Sequence, residues 1–295
     1  MNFSINTGMK NKISIGMTAY NSAGFISESI ESLLAQTFHD FTLIISDDAS
    51  TDDTPNVCKA WAKIDSRILY FRQKYNLGPR ANFEFVFNQG KAEFFMWASH
   101  DDVWSDNFLQ NCVDELITKP EVGFVITRWI MESRNYPFIR RCFLPSMKFI
   151  ADPDPIKRLM SFTALPFSSF KDNLTYGVWR HNILERVIND TKNTKYFSIG
   201  CAANEYALLI SSGSYIDNAH LRKRYKRFPP GSIFEIFVVL LCALTGRHQK
   251  KYLYPSYSSG DFIDDLEYVF KVAGLDNSNI EKALHLNRQH LGVNT

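Results

Sequence analysis

The sequence lacks the features of several common classes of protein. Its five cysteines, among 295 residues, form no Cys-x-x-Cys pair and no zinc-like spacing, and a dispersed odd set of this kind fits reduced thiols. Basic residues number 33 and acidic residues 31, so the charge predicts no general affinity for nucleic acid. The N-terminal stretch 1–12 is polar and lacks the apolar core of a signal peptide. We therefore expect a cytoplasmic protein, or one at the inner face of the membrane.

Apolar residues are abundant, at 45% of the chain with 14% aromatic. This fraction is ample for a sizeable core, and the length fits one large domain or one domain with an appendage. Neither internal repeats nor low-complexity tracts are present. We expect a main domain over 1–220, with a first half at 12–130 and a second at 131–220, followed by a basic, apolar and helical extension over 221–295.

Short β-rich runs alternate with helical patterns through the first part of the chain. The predicted strands are 13–18, 42–46, 68–71, 94–97 and 122–126. Alternation of this kind predicts an α/β fold with a mostly parallel central sheet and helices on both faces. The second half is less regular, and its predicted elements are loops or a short hairpin over 134–155, a strand passing into a helix over 174–187, a helix over 204–211 and a helical tail over 261–291.

Three of the predicted strands end in polar clusters, at 18–21, Asp47-Asp48 and Asp101-Asp102. Ligands of parallel sheets bind beyond the carboxyl ends of the strands. Adjacent carboxylates repel each other unless a cation lies nearby, and Mg2+ prefers such oxygen ligands and shares them with substrate phosphates. The alternative is that Asp101 or Asp102 caps a helix that starts near residue 106.

Segments 17–21, 35–41 and 46–54 occur in order and at close spacing. Together with Asp101-Asp102 they resemble family 2 glycosyltransferases of the GT-A (nucleotide-diphospho-sugar transferase) fold, and in particular the bacterial spore-coat polysaccharide transferase type. The resemblance covers 12–130 and continues more weakly into the second half. It implies a nucleotide-sugar donor bound by the first half, an acceptor bound by the second, a divalent metal, and inversion at the anomeric carbon.

For the nucleoside, the resemblance implies a pocket lined by Thr18, Ala19 and Tyr20, with Tyr20 against the base. Asp48 would accept a hydrogen bond from a ring N–H of the base, which favours a UDP-linked donor, although thymidine offers the same N–H. Arg80 would face the nucleotide or its phosphates. The alternatives are a helix-capping role for Asp48, plain packing for Tyr20 and a solvated Arg80.

For the metal, the resemblance implies that Asp102 binds Mn2+ or Mg2+ and that Asp101 holds the ribose. A shift of these roles by one position is an alternative. Ser99 stands where many members of the family have the first aspartate of the motif. His100 is an unusual neighbour, and it would either donate to a phosphate or serve a structural role in the turn.

An inverting transfer needs a base that removes the proton of the acceptor hydroxyl. The resemblance places this base at the start of a helix, and segment 200–209 fits that setting with Glu205 as the candidate. Asn204 replaces the first residue of the usual acidic pair. The alternatives are an ordinary exposed glutamate in a first turn, or Asp172 or Asp190 as the base.

A basic stretch, 222–227, precedes the apolar segment 233–244. The apolar segment is too short to span a bilayer, which needs about 20 residues. The region 222–244 therefore suggests peripheral contact with an anionic membrane, and hence a lipid-linked glycan acceptor. A solvated loop followed by a buried helix is the alternative.

The leading hypothesis is a metal-dependent, inverting glycosyltransferase of cell-surface polysaccharide or glycoconjugate synthesis. A sugar-phosphate nucleotidyltransferase would share the sheet, but it would carry a basic Gly-rich loop after the first strand, and 21–24 has no basic residue. Ser99 and Asn204 also prompt a third hypothesis, a non-catalytic homologue that binds nucleotide or glycan.

Overall fold

The computed structural model describes residues 11–133, 140–142, 147–165, 171–194, 201–217, 222–226 and 259–291. Its strands are β1 (Ile13–Ala19), β2 (Phe41–Asp47), β3 (Ile68–Arg72), β4 (Phe94–Ser99), β5 (Asp102–Trp104), β6 (Val122–Thr127), β7 (Trp129–Ser133), β8 (Arg140–Cys142), β9 (Val178–Arg180), β10 (Ser212–Ile216) and β11 (Arg222–Lys226). Its α-helices are α1 (Ile26–Leu34), α2 (Thr54–Ile64), α3 (Pro79–Gln89), α4 (Phe108–Thr118), α5 (Pro155–Thr163), α6 (His181–Thr191), α7 (Cys201–Ile210), α8 (Ser259–Val272) and α9 (Asn277–Leu291).

The larger of the two sheets in the described part of the chain has seven strands in the order β10-β6-β9-β4-β1-β2-β3. Strand β9 is antiparallel to both its neighbours, β4 and β6, and the other pairs are parallel. The sheet is therefore mixed but mostly parallel, and the five strands predicted in the first part of the chain are confirmed.

The central strand β1 is buried on both faces, as expected for a sheet covered by helices on either side. Ile13, Ile15 and Met17 face one hydrophobic cluster and have no exposed surface. On the other face, a Cβ added to Gly16 would lie 2.7 Å from side-chain atoms of Phe95 and Val86. The absence of a side chain at Gly16 is therefore what lets α3 pack closely on β1.

The start of α2 differs from the prediction. The sequence Ser50-Thr51-Asp52-Asp53 predicts a cap at Ser50 or Thr51 with acidic residues in the first turn, but the helix begins at Thr54. The reason is that other groups hold the intervening turn: Asp47 Oδ1 accepts the Ser50 N–H at 2.9 Å, and the Asn21 side-chain oxygen accepts the Thr51 N–H at 2.8 Å. Residues 50–52 are therefore part of a turn at the sheet edge and not of the helix.

The smaller sheet has the strand order β5-β11-β7-β8. Strands β7 and β8 pair antiparallel, and β7 lies before the region 134–155 in which loops or a short hairpin were expected. Strand β11 carries most of the basic stretch and pairs with β5 and β7, so residues 222–226 are not the solvated loop of the alternative. The division expected after residue 220 therefore does not separate this stretch from the main domain, and the apolar segment 233–244 lies outside the described residues.

The predicted helical tail is two helices, α8 and α9, which pack into the main core. Leu266 and Phe270 of α8 are fully buried in the same hydrophobic cluster as Phe124 and Trp179 of the large sheet. These helices consequently stabilise the domain and do not form a separate appendage. Among the described helices, none is long and apolar enough to cross a membrane.

Candidate functional site

The three polar strand ends lie side by side because β1 is flanked by β2 and β4. In the register of the sheet, Thr18 is opposite Ser46 of β2 and Ser99 of β4, and Ala19 is opposite Asp47. The carboxyl ends of three parallel strands thus form one edge. The three polar clusters of the sequence therefore lie next to one another.

Asp47 is fully buried and holds the turn that follows β2. Its carboxylate accepts the Ser50 N–H at 2.9 Å and the Tyr70 hydroxyl at 3.0 Å, and the Arg72 Nε lies 3.7 Å away. Burial and the hydrogen bond to Asp47 raise the pKa of Tyr70 well above its usual range. Asp47 therefore acts as a structural carboxylate.

Asp48 connects β1 to the loop that precedes α3. Its N–H donates to the Ala19 carbonyl at 2.9 Å, while its two carboxylate oxygens accept the N–H groups of Leu77 at 2.7 Å and Gly78 at 3.0 Å. Gly78 has φ +82°, a conformation that glycine adopts without steric cost. The carboxylate does not cap α2, which excludes that alternative, and each of its oxygens keeps a second lone pair for a ligand.

Tyr20 and Asn21 follow β1 at the same edge. The side chain of Tyr20 is 47% exposed, so plain packing does not explain it. Asn21 has φ +49°, and its N–H donates to the Ser50 hydroxyl at 3.0 Å. Because Asn21 also binds the turn through its side chain, the backbone that presents Tyr20 is held in place.

The turn between β4 and β5 contains the acidic pair. The Ser99 hydroxyl donates a hydrogen bond to Asp101 Oδ1, and the His100 Nδ1 lies 2.9 Å from the Thr18 carbonyl oxygen. Asp101 is partly exposed, whereas Asp102 begins β5 and is fully buried. Helix α4 begins later, at Phe108, with Asn107 at its N-cap, so neither aspartate caps it and that alternative is wrong.

The carboxylates in this turn suit a metal ion that takes its other ligands from the substrate. In the part of the chain that the structure describes, no group of three or more His, Cys, Asp or Glu side chains is placed to hold an ion. Asp101 and Asp102, neighbours in the sequence, are nevertheless the residues that could hold Mg2+ or Mn2+, because such ions are often bound by one or two carboxylates together with substrate phosphates. Because Ser99 stands in place of an aspartate, this turn supplies two carboxylates as metal ligands and not three.

Arg80 has protein partners for much of its guanidinium. Its Nη1 and Nη2 donate to the carbonyl oxygens of Thr194 at 3.2 Å and Lys192 at 2.6 Å, and its Nε donates to Glu84 at 3.1 Å. These contacts anchor the chain just beyond α6. The contact of Arg80 with a nucleotide stays a prediction.

Glu205 lies in α7 and is fully buried. Its Oε2 accepts hydrogen bonds from the Thr163 hydroxyl at 3.3 Å and from the Asn287 amide at 3.4 Å. These partners come from α5 and α9, so Glu205 sits where three helices meet. The alternative of an ordinary exposed glutamate is wrong, and the role of Glu205 as the base stays a prediction.

The two other candidate bases differ in what the structure describes. The Tyr206 hydroxyl donates to Asp190, whose carboxylate also lies 3.4 Å from the Arg186 Nε. Burial and this hydrogen bond raise the pKa of Tyr206 to about 12. Asp190 thus ties α6 to α7, while the side chain of Asp172 lies outside the described residues.

Two features of this edge were missed by the sequence analysis. The loop containing Leu77 and Gly78 was not recognised as a partner of Asp48, although a glycine directly before Pro79 is a signal of a special backbone conformation. The contact of His100 with Thr18 joins residues 82 positions apart. Such a contact depends on the alignment of β1 with β4, which no local pattern reveals.

Characterised relatives are found among bacterial glycosyltransferases. The chain is 32% identical over 114 residues to GalNAc(5)-diNAcBac-PP-undecaprenol beta-1,3-glucosyltransferase of Campylobacter jejuni, a match covering 38% of this chain and 36% of the relative. It is 26% identical over 235 residues to the Escherichia coli enzyme WfaP, a UDP-Glc:alpha-D-GlcNAc-diphosphoundecaprenol beta-1,3-glucosyltransferase, covering 72% of this chain and 89% of WfaP. The first of these matches therefore spans about a third of the relative's length.

Solved structures show the same fold. Staphylococcus aureus TarS 1-349 in complex with UDP-GlcNAc superposes with a TM-score of 0.66 at 17% sequence identity, covering 95% of this chain and 73% of that one. The architecture is thus GT-A, as the resemblance implied. The sequence model of glycosyl transferase family 2 matches residues 14–179, which is more than half of the chain. This chain accordingly belongs to glycosyl transferase family 2.

Proposed function

We propose that this enzyme is an inverting, divalent-metal-dependent transferase that moves a sugar from a UDP-sugar to a lipid-linked glycan in cell-surface polysaccharide or glycoconjugate synthesis. The observation that carries the donor assignment is the position of Asp48. Its carboxylate accepts the N–H groups of Leu77 and Gly78, and its own N–H donates to the carbonyl of Ala19, the residue before the exposed Tyr20. A uracil ring N–H needs a fixed acceptor of this kind.

The base of the donor stacks on Tyr20, with the backbone of Thr18 and Ala19 forming the floor of the pocket. Aromatic stacking of this kind adds to the area that a flat ring buries. Asp48 then accepts a hydrogen bond from the ring N–H of the base. The names of WfaP and of the TarS complex, which carry UDP-Glc and UDP-GlcNAc, support a UDP-linked donor.

Asp101 and Asp102 are the residues that would hold the metal and the ribose. Asp102 binds Mn2+ or Mg2+, and Asp101, the more exposed of the two, accepts from the ribose hydroxyls. The ion supplies neutralisation of the charge that develops on the leaving diphosphate. A solved relative, a mannosyltransferase from Pyrobaculum calidifontis in complex with GDP-Man and Mn2+, supports the metal at the level of the fold.

Glu205 is the proposed general base. A carboxylate within hydrogen-bond reach of the acceptor hydroxyl takes its proton as the oxygen attacks the anomeric carbon. Because Asn287 of α9 covers Glu205, an acceptor reaches this carboxylate only when α9 moves away from α7. The base assignment therefore also predicts that α9 is displaced during turnover.

The acceptor assignment rests on the relatives. Both named glucosyltransferases act on glycans linked to undecaprenol through a diphosphate, according to their names. Such an acceptor lies in a membrane, and the basic stretch around β11 is suited to anionic lipid. We propose peripheral contact through 222–244 for this reason.

The test is differential scanning fluorimetry with UDP, GDP, UDP-glucose and UDP-GlcNAc, each with and without Mn2+. A ligand that binds only the folded protein raises the melting temperature. We expect a larger rise with UDP compounds and Mn2+ than with GDP. Asp102→Asn should remove the Mn2+-dependent part of the rise, and a full response in that variant would show that the metal assignment is wrong.

Binding without turnover would favour the non-catalytic alternative. Ser99 and Asn204 are the residues that prompt it, and the burial of Glu205 adds to them. Release of UDP from a UDP-sugar in the presence of undecaprenyl-diphosphate glycans separates the two functions. We expect release in the wild-type protein, and its absence with every donor that binds would establish the non-catalytic alternative.

A further inference from the structure

His100 joins the two halves of the donor site. Its Nδ1 lies 2.9 Å from the carbonyl oxygen of Thr18, near the end of β1, while the residue itself sits in the turn that carries Asp101 and Asp102. The imidazole also stacks on Phe25, with ring centroids 5.3 Å apart and planes at 27°. The side chain is therefore held by two separate contacts in one orientation.

The contact with Thr18 determines which ring nitrogen carries the hydrogen. A carbonyl oxygen only accepts hydrogen bonds, so Nδ1 must donate. The neutral ring consequently has its hydrogen on Nδ1 and an unprotonated Nε2. The tautomer is a property of this geometry that a spectroscopic measurement can read without any ligand.

We propose that His100 is a positioning residue that couples nucleotide binding to metal binding, an inference that rests on the proposed function. Thr18 belongs to the proposed nucleoside pocket, and Asp101 and Asp102 to the proposed ribose and metal site. The hydrogen bond from His100 fixes the second group relative to the first. An ion at Asp102 would then lie within reach of the diphosphate of a nucleotide bound at Thr18, so each ligand strengthens the binding of the other, and by linkage the two effects are equal.

The experiment is isothermal titration calorimetry of UDP with and without Mn2+. The quantity of interest is the ratio of the two dissociation constants, which measures the coupling. His100→Ala and His100→Gln should reduce this ratio by about three- to tenfold, the effect of losing one hydrogen bond. His100→Asn should retain most of the coupling, because its amide nitrogen replaces Nδ1, whereas the Gln amide reaches the position of Nε2. His39→Ala, at an exposed site, is the control and should leave the ratio unchanged.

A merely structural role gives a different result. It would weaken UDP binding by the same factor with and without Mn2+ and leave the ratio constant, which would overturn the proposal. A ring nitrogen spectrum of His100 with Nε2 protonated and Nδ1 bare would overturn it as well. If the wild-type protein binds no UDP with or without Mn2+, the proposed function is wrong as well as the role of His100. If the wild-type protein shows strong coupling and all three His100 variants retain it, only the role of His100 is rejected.

Discussion

The Arg80 Nη1 and the carbonyl oxygen of Thr194 lie 3.2 Å apart, although 114 positions separate the residues in the chain. This bond and a second one to the Lys192 carbonyl attach the first turn of α3 to the chain beyond α6. The first and second halves of the domain are therefore joined just after the loop, Leu77-Gly78, that Asp48 holds.

Replacing Arg80 distinguishes between two roles of this residue, an anchor for the chain beyond α6 and a contact with the nucleotide. Arg80→Ala removes hydrogen bonds to two backbone carbonyls, so we expect the free energy of unfolding to fall by about 1–3 kcal/mol. The affinity for UDP should change less than twofold. Urea denaturation and calorimetry measure the two quantities. A large loss of UDP affinity with unchanged stability would instead establish the nucleotide contact, and Lys59→Ala, at an exposed position in α2, is the control that also removes one positive charge.

Asp48→Asn should damage both the loop and UDP binding. Each carboxylate oxygen accepts a backbone N–H, and the amide group of Asn places a donor against one of these donors. A hydrogen bond to a charged acceptor contributes about 1.5–3 kcal/mol, so we expect a loss of stability in that range and a UDP affinity lower by more than tenfold. Asp53→Asn is the control, because the Asp53 carboxylate is exposed and binds only the Asn56 side chain among the described residues. Equal effects of the two substitutions would contradict the role of Asp48.

The sequence predicted the structure best where a feature depends on a single strand or helix. The five strands of the first part follow from their apolar runs, and the polar ends of β1, β2 and β4 follow from the Asp or Asn residues at which these runs stop. The site edge was therefore predictable. The start of α2 was not predictable, because it depends on hydrogen bonds to side chains outside the helix. Asp47, at the end of β2, accepts the Ser50 N–H, and Asn21, just beyond the end of β1, accepts the Thr51 N–H.

Contacts between distant segments account for the remaining differences. The burial of Glu205 depends on Asn287 in α9, which is 82 positions away, and no helical pattern around 204–211 contains that information. The placement of 222–226 inside the small sheet depends on pairing with β5 and β7. In both cases the local sequence is compatible with an exposed position, and tertiary packing decides against it.

Tyr206 should make stability fall at high pH. Burial, together with the hydrogen bond to Asp190, raises its pKa to about 12, whereas an unfolded tyrosine titrates near pH 10. The native state therefore keeps a proton that the unfolded state loses, and the stabilisation is complete below pH 10 and declines as the pH rises toward 12. The difference in free energy of unfolding between wild type and Tyr206→Phe, measured in urea from pH 8 to pH 11, should shrink over this range. Tyr75→Phe, at an exposed position, should leave the profile unchanged, and a difference for Tyr206→Phe that is constant with pH would contradict the interpretation.

Glu205→Gln tests the proposed base without removing its contacts. The Gln side chain has nearly the same shape, and its carbonyl oxygen still accepts from Thr163 and Asn287, so the fold and UDP affinity should be preserved. A base contributes about 10²–10⁴-fold to a rate, so UDP release with a donor and acceptor that support wild-type turnover should fall by at least about a hundredfold. Glu185→Gln, at an exposed position in α6, is the control with the same chemical change. Undiminished turnover in Glu205→Gln would remove this residue from the mechanism and leave Asp190, held by Tyr206 and Arg186, as the described carboxylate to test next.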